Sequence, residues 1–398
     1  MKKEETKPNN VNQEANHNEL VDSIIEKVKN NKFKAYFFCP PMNSPSGGVG
    51  VLLRLATYLK QTGLDVKLIY EPRVDQRASY EETNKQKKQV TVFEKFNPTW
   101  MDFSIEELEI IPLGDKTITF VDKTTAECQP LRLEPEDFLF IPEGFPDVMK
   151  KTMQVACKRI VVAQSWFYIL NALNKGEKWQ NFGVRDVISV SDAITEYLTT
   201  IMPGLNIKKF SQGINREIFK LPKKASEKYP MIAFSTSRGP ENRLKTFNII
   251  KTFYAFYPHL KFIRFLELAN YTREEFAEKL ASCAFVLYTD DIAGFGTLPL
   301  EAMACGTHVV GWSAYGGKEY MNQNNGFWAN NGDIFQTAEL LGIAVDKWLN
   351  GEMDVKQIQD SYETTLNNYT LEKEKEQFLN IINEFKNERI NELTGLKK

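Results

Sequence analysis

Histidine and cysteine are scarce in this chain of 398 residues, and neither is arranged for metal chemistry. The three histidines, His17, His259 and His308, stand far apart, and Cys39, Cys128, Cys157, Cys283 and Cys305 include no C-x-x-C pair. Such spacing speaks against a structural or catalytic zinc site. An odd number of scattered thiols is also unlike a disulfide framework, and points to reduced, buried cysteines in a cytoplasmic protein. Long apolar runs are missing: nothing approaches the ~18 consecutive apolar residues of a membrane span. Residues 1–20 are nearly all polar, which excludes the apolar core of a signal peptide. Charge of one sign is not in excess either. With a formal net charge of −2, no global field favours nucleic acid or another polyanion.

What is present is an ordinary globular composition, 42% hydrophobic and 26% charged, in a chain long enough for two or three cores. Residues 1–19 carry little apolar surface and are expected to form a disordered tail, followed by a short helix over 21–28. Beyond them, apolar runs of strand length alternate with helical patterns. Segments 33–39, 65–70, 117–121, 137–141, 159–163 and 186–190 read as strands, the last followed by a helix over 192–201 with Ser191 as its cap. A linker at 222–228 precedes a second alternation, with strands at 231–235, 261–265 and 283–288. Its helices are 246–257, 274–281 (opened by a Thr272/Glu275 capping box), 335–349, 355–366 and 372–391. This pattern predicts an α/β protein with doubly wound domains at 20–222 and 223–370 and a final helical segment at 371–398.

The most informative stretch follows the run 283–288. Gly294 and Gly296 stand two residues apart, Thr297 can cap a helix, Pro299 falls in its first turn and Gly306 ends it before Val309 and Val310 open another strand. Strand, glycine turn, short helix and strand together imply a parallel crossover. Such a turn aims unpaired amides and the positive end of a helix dipole into one crevice, which suits a phosphate or diphosphate. Glu301, one turn into the helix, can accept two hydrogen bonds from a ribose diol. Read blandly, the same residue is a favourable charge at a helix start. A second glycine turn, Gly47-Gly48-Val49-Gly50, lies between strand 33–39 and a helix at 51–61 and opens a similar crevice.

The full string from Gly294 to Val310, with Gly316, Gly317 and Glu319 beyond it, resembles the donor-binding signature of retaining glycosyltransferases of family 4, the glycosyl transferases group 1. The resemblance implies the GT-B fold, with two Rossmann-like domains facing across a cleft and the last helix packing back on the first domain. It implies transfer of a sugar from a nucleotide-diphosphate donor, by default a UDP-sugar, to a hydroxyl on a glycan, lipid-linked or protein acceptor. Retention of configuration, no cofactor and no metal go with it. On the same basis Gly294, Phe295, Gly296 and Thr297 supply amides, Glu301 holds ribose, Gly316 and Gly317 hold sugar or phosphate, and Glu319 orients a hydroxyl. Arg238 grips the diphosphate with either Arg243, which has the commoner spacing, or Lys245, which matches by residue type. Two cations there offset leaving-group charge, a role that a metal serves elsewhere. Gly47, Gly48 and Gly50 resemble the glycine loop of the N-domain.

The chain departs from the family pattern twice. The first glutamate of the signature falls at Ala293, and Asp291 is the nearest acid to take its place. The N-domain histidine near the acceptor is also missing; at the corresponding turn, Pro142-Glu143-Gly144, the Glu143 carboxylate suits either orienting or deprotonating the acceptor hydroxyl or a place as an ordinary loop acid. Among the residues after strand 159–163, Phe167 reads as core, while Trp166 suits either core or sugar stacking. Ala293 supports a second reading, a non-catalytic glycosyltransferase-like subunit in a homo- or hetero-oligomer. A third, a phage-type DNA sugar transferase, rests on local lysines such as Lys85, Lys87 and Lys88. Balanced charge gives it no support, so nucleic acid is not an expected partner. The expected location is the cytoplasm or the inner membrane face.

Overall fold

The computed structural model describes residues 9–75, 80–83, 86–89, 91–222, 228–236 and 239–397. They form two compact units, one of residues 1–162, 179–186 and 378–398, the other of residues 163–178 and 187–377. Segments 163–178 and 187–222, assigned from sequence to the first domain, thus belong to the second unit. Residues 378–398 of the expected C-terminal segment belong to the first.

The first unit is built on parallel strands in the order Lys158–Ala163, Phe138–Pro142, Lys34–Phe38, Asp65–Tyr70 and Glu109–Pro112. Strands Lys158–Ala163 and Phe138–Pro142 are buried at every residue, as expected of apolar runs covered on both faces. Phe37 stacks on Phe140 with ring centroids 4.3 Å apart across the pair. Residues 117–119 do form a strand, but it pairs antiparallel with Thr125–Glu127 outside this sheet. Glu109–Pro112 takes the edge position instead. Its half-buried pattern left no apolar run to find.

The expected tail is corrected over residues 9–19, which lie in a helix Asn9–Lys29. Val21, Ile24, Ile25 and Val28 form an apolar stripe at helical spacing and pack on Leu393 and Ile390 of the C-terminal helix. Once those turns are fixed, extending the helix into polar sequence adds a hydrogen bond per residue at little cost. The same C-terminal helix, Leu371–Thr394, buries Phe378, Ile381, Ile382 and Phe385 on the face read from the sequence.

Lys158 ties this unit together electrostatically. Its side chain is 2% exposed, with Nζ 2.9 Å from Asp186 and 2.7 Å from Glu392, and it lies over the Phe385 ring. Removing a buried cation leaves its acids uncompensated, which is costlier than losing a surface pair.

The second unit holds a parallel sheet in the order Arg264–Glu267, Tyr229–Phe234, Cys283–Tyr288, His308–Trp312 and Phe327–Ala329. Helices Pro240–Phe256 and Ile334–Leu349 pack on it through Ile249, Phe253, Leu341 and Val345. The first of these starts earlier than the pattern suggested, because Gly239 takes φ +93° as its cap and Pro240 presets the first turn. The capping box of Thr272 and Glu275 is present in full, and Ser191 caps Asp192–Ile201 by accepting from the Ile194 amide. His308 is buried and bonded to Tyr362, a core histidine.

Lys158→Ala is expected to lower the unfolding free energy by about 3 kcal/mol. Urea unfolding of the parent and variant checks this, and a loss below about 1 kcal/mol, the worth of a surface pair, would refute the role of Lys158.

Candidate functional site

The site grows out of the carboxyl end of strand Cys283–Tyr288. Asn242, at the start of helix Pro240–Phe256, donates its side-chain amide to the Thr289 carbonyl at 2.7 Å. Thr246 and Thr289 hydroxyls meet at 2.7 Å one turn on. These buried contacts fix where the strand ends and the loop begins. Sequence reading missed them, since no motif marks a lone Asn and two threonines.

The loop then makes an unusually close backbone approach. A Cβ on Gly294 would lie 1.9 Å from the Gln164 carbonyl oxygen, and one on Gly316 would lie 2.0 Å from the Gly294 carbonyl oxygen. No side chain fits at either position, so three backbone segments of this unit are in direct contact. Ser191 adds a hydrogen bond, its hydroxyl donating to the Gly294 carbonyl at 2.6 Å. Gly296, with φ +87°, is the N-cap of helix Thr297–Ala304, so Thr297 is the first helical residue and not the cap. The Tyr320 hydroxyl donates to the Gly296 carbonyl. Phe295 turns its ring inward, 5.4 Å from Tyr320 and 5.5 Å from Tyr369. Among the described residues, no backbone partner takes the N–H groups of Gly294, Phe295 or Gly296. The Gly294 and Gly296 carbonyls are thus bonded within the protein while these three amides have no backbone partner, an asymmetry that leaves the turn electropositive, as an anion site requires.

The expected cations separate. Lys245 places Nζ 2.6 Å from Asp291, bringing a diphosphate candidate together with the acid nearest the loop. Arg243 instead pairs with Glu267 at 3.0 Å and lies over the Phe247 ring. Arg238 lies outside the described residues, as do the side chains of Lys85, Lys87 and Lys88 and most of the expected linker. Glu301 is buried in the short helix, and Arg273 donates to its Oε1 at 2.8 Å. Arg273 had been legible only as part of a capping box.

Gly316–Glu319 is a short 3-10 turn whose amides are not open to a ligand. Gly316 N–H donates to the Ala293 carbonyl and Gly317 N–H to Ser313, correcting the expectation that these two glycines offer donors. Glu319 is buried, and its Oε2 accepts from the Asp192 amide at 2.8 Å, with Lys209 3.9 Å away. It caps the start of helix Asp192–Ile201. Ala293 is itself 1% exposed, packed where the signature has a glutamate. Phe167 is 38% exposed, against the core reading, because only Ile169 of the helix Trp166–Asn171 is buried. Trp166 packs edge-on to Tyr197 and tilted on Tyr315.

In the first unit, Gly47, Gly48 and Gly50 lie within the helix Gly47–Lys60, so the expected glycine turn is replaced by the first turn of that helix. Glu143 is buried just after strand Phe138–Pro142, its amide donating to Val162. Among the described residues, no group of three or more His, Cys, Asp or Glu side chains is placed to hold a metal ion, and no helix is long and apolar enough to cross a membrane.

Residues 258–364, which contain the strand, glycine loop, Glu301 and Glu319, match the family model "Glycosyl transferases group 1". This part of the chain is similar to a group 1 glycosyl transferase domain. The match to a curated relative, an alpha-1,6-glucosyltransferase of Actinobacillus pleuropneumoniae serotype 7, is 31% identical over 129 residues, 31% of this chain and 38% of that protein's length. Among solved structures, Anabaena HepE in complex with UDP and glucose superposes with a TM-score of 0.60 at 13% identity, covering 88% of this chain and all of that one. Staphylococcus aureus TarM gives 0.57 at 11% identity with the same coverage. At that identity the likeness establishes the fold, which is α/β and GT-B.

Within the segment that matches this family, burial raises the Glu319 carboxyl above its ordinary value, against the Asp192 amide and Lys209, which lower it. A carboxyl with a raised folded pKa contributes stability below its unfolded pKa and loses it as pH rises through the folded value. The ionised form therefore costs stability at neutral pH. Glu319→Gln, which keeps an acceptor for Asp192, should melt at or above the parent at neutral pH, with the difference shrinking in acid. Glu319→Ala strands that amide and should lose about 1–3 kcal/mol. Thermal melts across pH decide this. A Gln variant as unstable as the Ala variant would show that the charge itself holds the contact.

Proposed function

We propose that this protein transfers a hexose from a UDP-sugar donor to an acceptor hydroxyl with retention of configuration. The observation that carries the reading is the glycine loop at 294–296, whose amides have no backbone partner among the described residues, with Lys245 beside it and the buried carboxylate of Glu301 one helical turn on. The group 1 match over this segment and the glucosyltransferase relative support a sugar-transfer activity. The structures of HepE with UDP and glucose and of TarM with UDP support uridine as the base.

On this reading Glu301 accepts from the ribose, and the loop amides and Lys245 bind the diphosphate, joined by Arg238 or Arg243. As the bond between the sugar and the diphosphate breaks, negative charge grows on the leaving oxygen. The amides and cations stabilise it there without a metal. The acceptor oxygen bonds to the sugar on the face the diphosphate leaves, and its proton passes to the departing diphosphate. Asp291 has a defined role in the free protein: it neutralises Lys245 until the donor displaces it. Glu143 is the candidate for orienting the acceptor hydroxyl.

A second reading, a non-catalytic subunit, has one observation in its favour. Ala293 is buried, so no carboxylate stands where the signature's first glutamate would meet the sugar. Donor turnover separates the two, since a binding subunit would hold UDP yet neither transfer nor hydrolyse UDP-glucose.

Glu301→Ala should weaken UDP binding about tenfold or more, the worth of a charged hydrogen bond. Calorimetry with UDP tests this, and an unchanged dissociation constant would remove Glu301 from the site. Asp291→Asn should tighten UDP binding up to about fivefold, because the competing half-exposed pair with Lys245 is lost. Weaker binding would mean that Asp291 contacts the donor directly.

A further inference from the structure

Resting on the donor reading above, we infer that Arg273 is a positioning residue for ribose recognition, holding the Glu301 carboxylate in the one orientation that presents its second oxygen to the nucleotide. Glu301 has 6% of its side chain exposed and lies among Leu300, Ala302 and Met303, all buried. A carboxylate in such surroundings needs a counter-charge. Arg273 supplies it through Nη2 at 2.8 Å from Oε1.

Three features restrain the arginine. It is the first residue of helix Arg273–Ser282, whose start is pinned by the complete capping box of Thr272 and Glu275. Its guanidinium lies 4.7 Å over the Phe219 ring. Phe276, on the same helix, faces it at 5.8 Å. An exposed ion pair flexes and contributes little. This one is stacked and half enclosed, so Arg273 fixes the Glu301 rotamer.

With Oε1 committed, Oε2 is the oxygen left to accept from a ribose hydroxyl. Recognition of ribose then depends on Arg273 as well as on the loop that holds the diphosphate. A site built to hydrogen-bond a hydroxyl rejects the analogue that lacks it. Discrimination between ribose and deoxyribose nucleotides therefore reports on this pair in a way that overall stability does not.

The test compares UDP with 2′-deoxy-UDP by calorimetry on the parent, Arg273→Met, Arg273→Gln and Arg273→Lys, with KM and kcat for UDP-glucose turnover. The parent should prefer UDP about tenfold or more. Arg273→Met should lose most of that preference and raise the donor KM by a similar factor, with kcat at saturating donor within about threefold of the parent. Arg273→Lys should recover part of the preference. If Arg273→Met does not fold, Arg273→Gln, which keeps a neutral donor, should still show a reduced preference. A folded Met or Gln variant with the parent's full preference overturns the role of Arg273 and leaves Glu301 in place. A parent that binds UDP and 2′-deoxy-UDP equally overturns both assignments, and a parent that binds neither overturns the donor reading itself.

Discussion

Everything at this site depends on the absence of a side chain at Gly294. The Gln164 carbonyl occupies the space where a Cβ would stand, and the Gly294 carbonyl in turn occupies the space at Gly316. Backbone packed against backbone leaves little room for adjustment, because each segment is rigid where it meets the next. The Ser191 hydroxyl then takes the Gly294 carbonyl, and the Ala293 carbonyl receives the Gly316 amide. Carbonyls are thus consumed inside the protein while the loop amides are not, and this asymmetry gives the turn its affinity for negative charge.

Three cations among the described residues follow a complementary rule: each is paired before any donor arrives. Lys245 rests on Asp291, Arg243 on Glu267 and Arg273 on Glu301. The pairs differ in burial, which decides their behaviour. The Lys245 and Asp291 side chains are 37% and 28% exposed, so their attraction is screened and readily exchanged for a more highly charged diphosphate. The Glu301 side chain is enclosed, and its pairing persists as part of the architecture.

Much of this was legible in the sequence. Strands 65–70 and 283–288 and helices 192–201 and 355–366 lie where their apolar periods and caps put them. Glu301 and the loop glycines stood out because their spacing carries a mechanism. What escaped was decided by tertiary packing. Of the helix Asn9–Lys29 the apolar stripe at 21–28 reads as a short helix, but the polar turns before it carry no helical pattern, and the partner of the stripe lies some 360 residues away. Glu319 was found, but its partner, the Asp192 amide, could not be, since backbone donors carry no sequence signal. Arg273 sat in a motif that explained a helix start well enough to hide a second use. The glycines at 47–50 show the opposite error. Glycine permits a turn but does not compel one, and there the chain continues as helix.

The five cysteines have a practical consequence. All are free and buried. Burial pushes the thiols of Cys157 and Cys283 up to about 11 and that of Cys305 up to about 12, and raises Cys39 and Cys128 too. Thiolate is the reactive form, and at neutral pH these side chains hold almost none of it. Reaction of the native protein with maleimides and similar reagents is therefore expected to be slow while it stays folded. One cysteine introduced on an exposed helix would be the dominant site of labelling, so a fluorophore or spin probe can report on the loop without first stripping out the natural thiols.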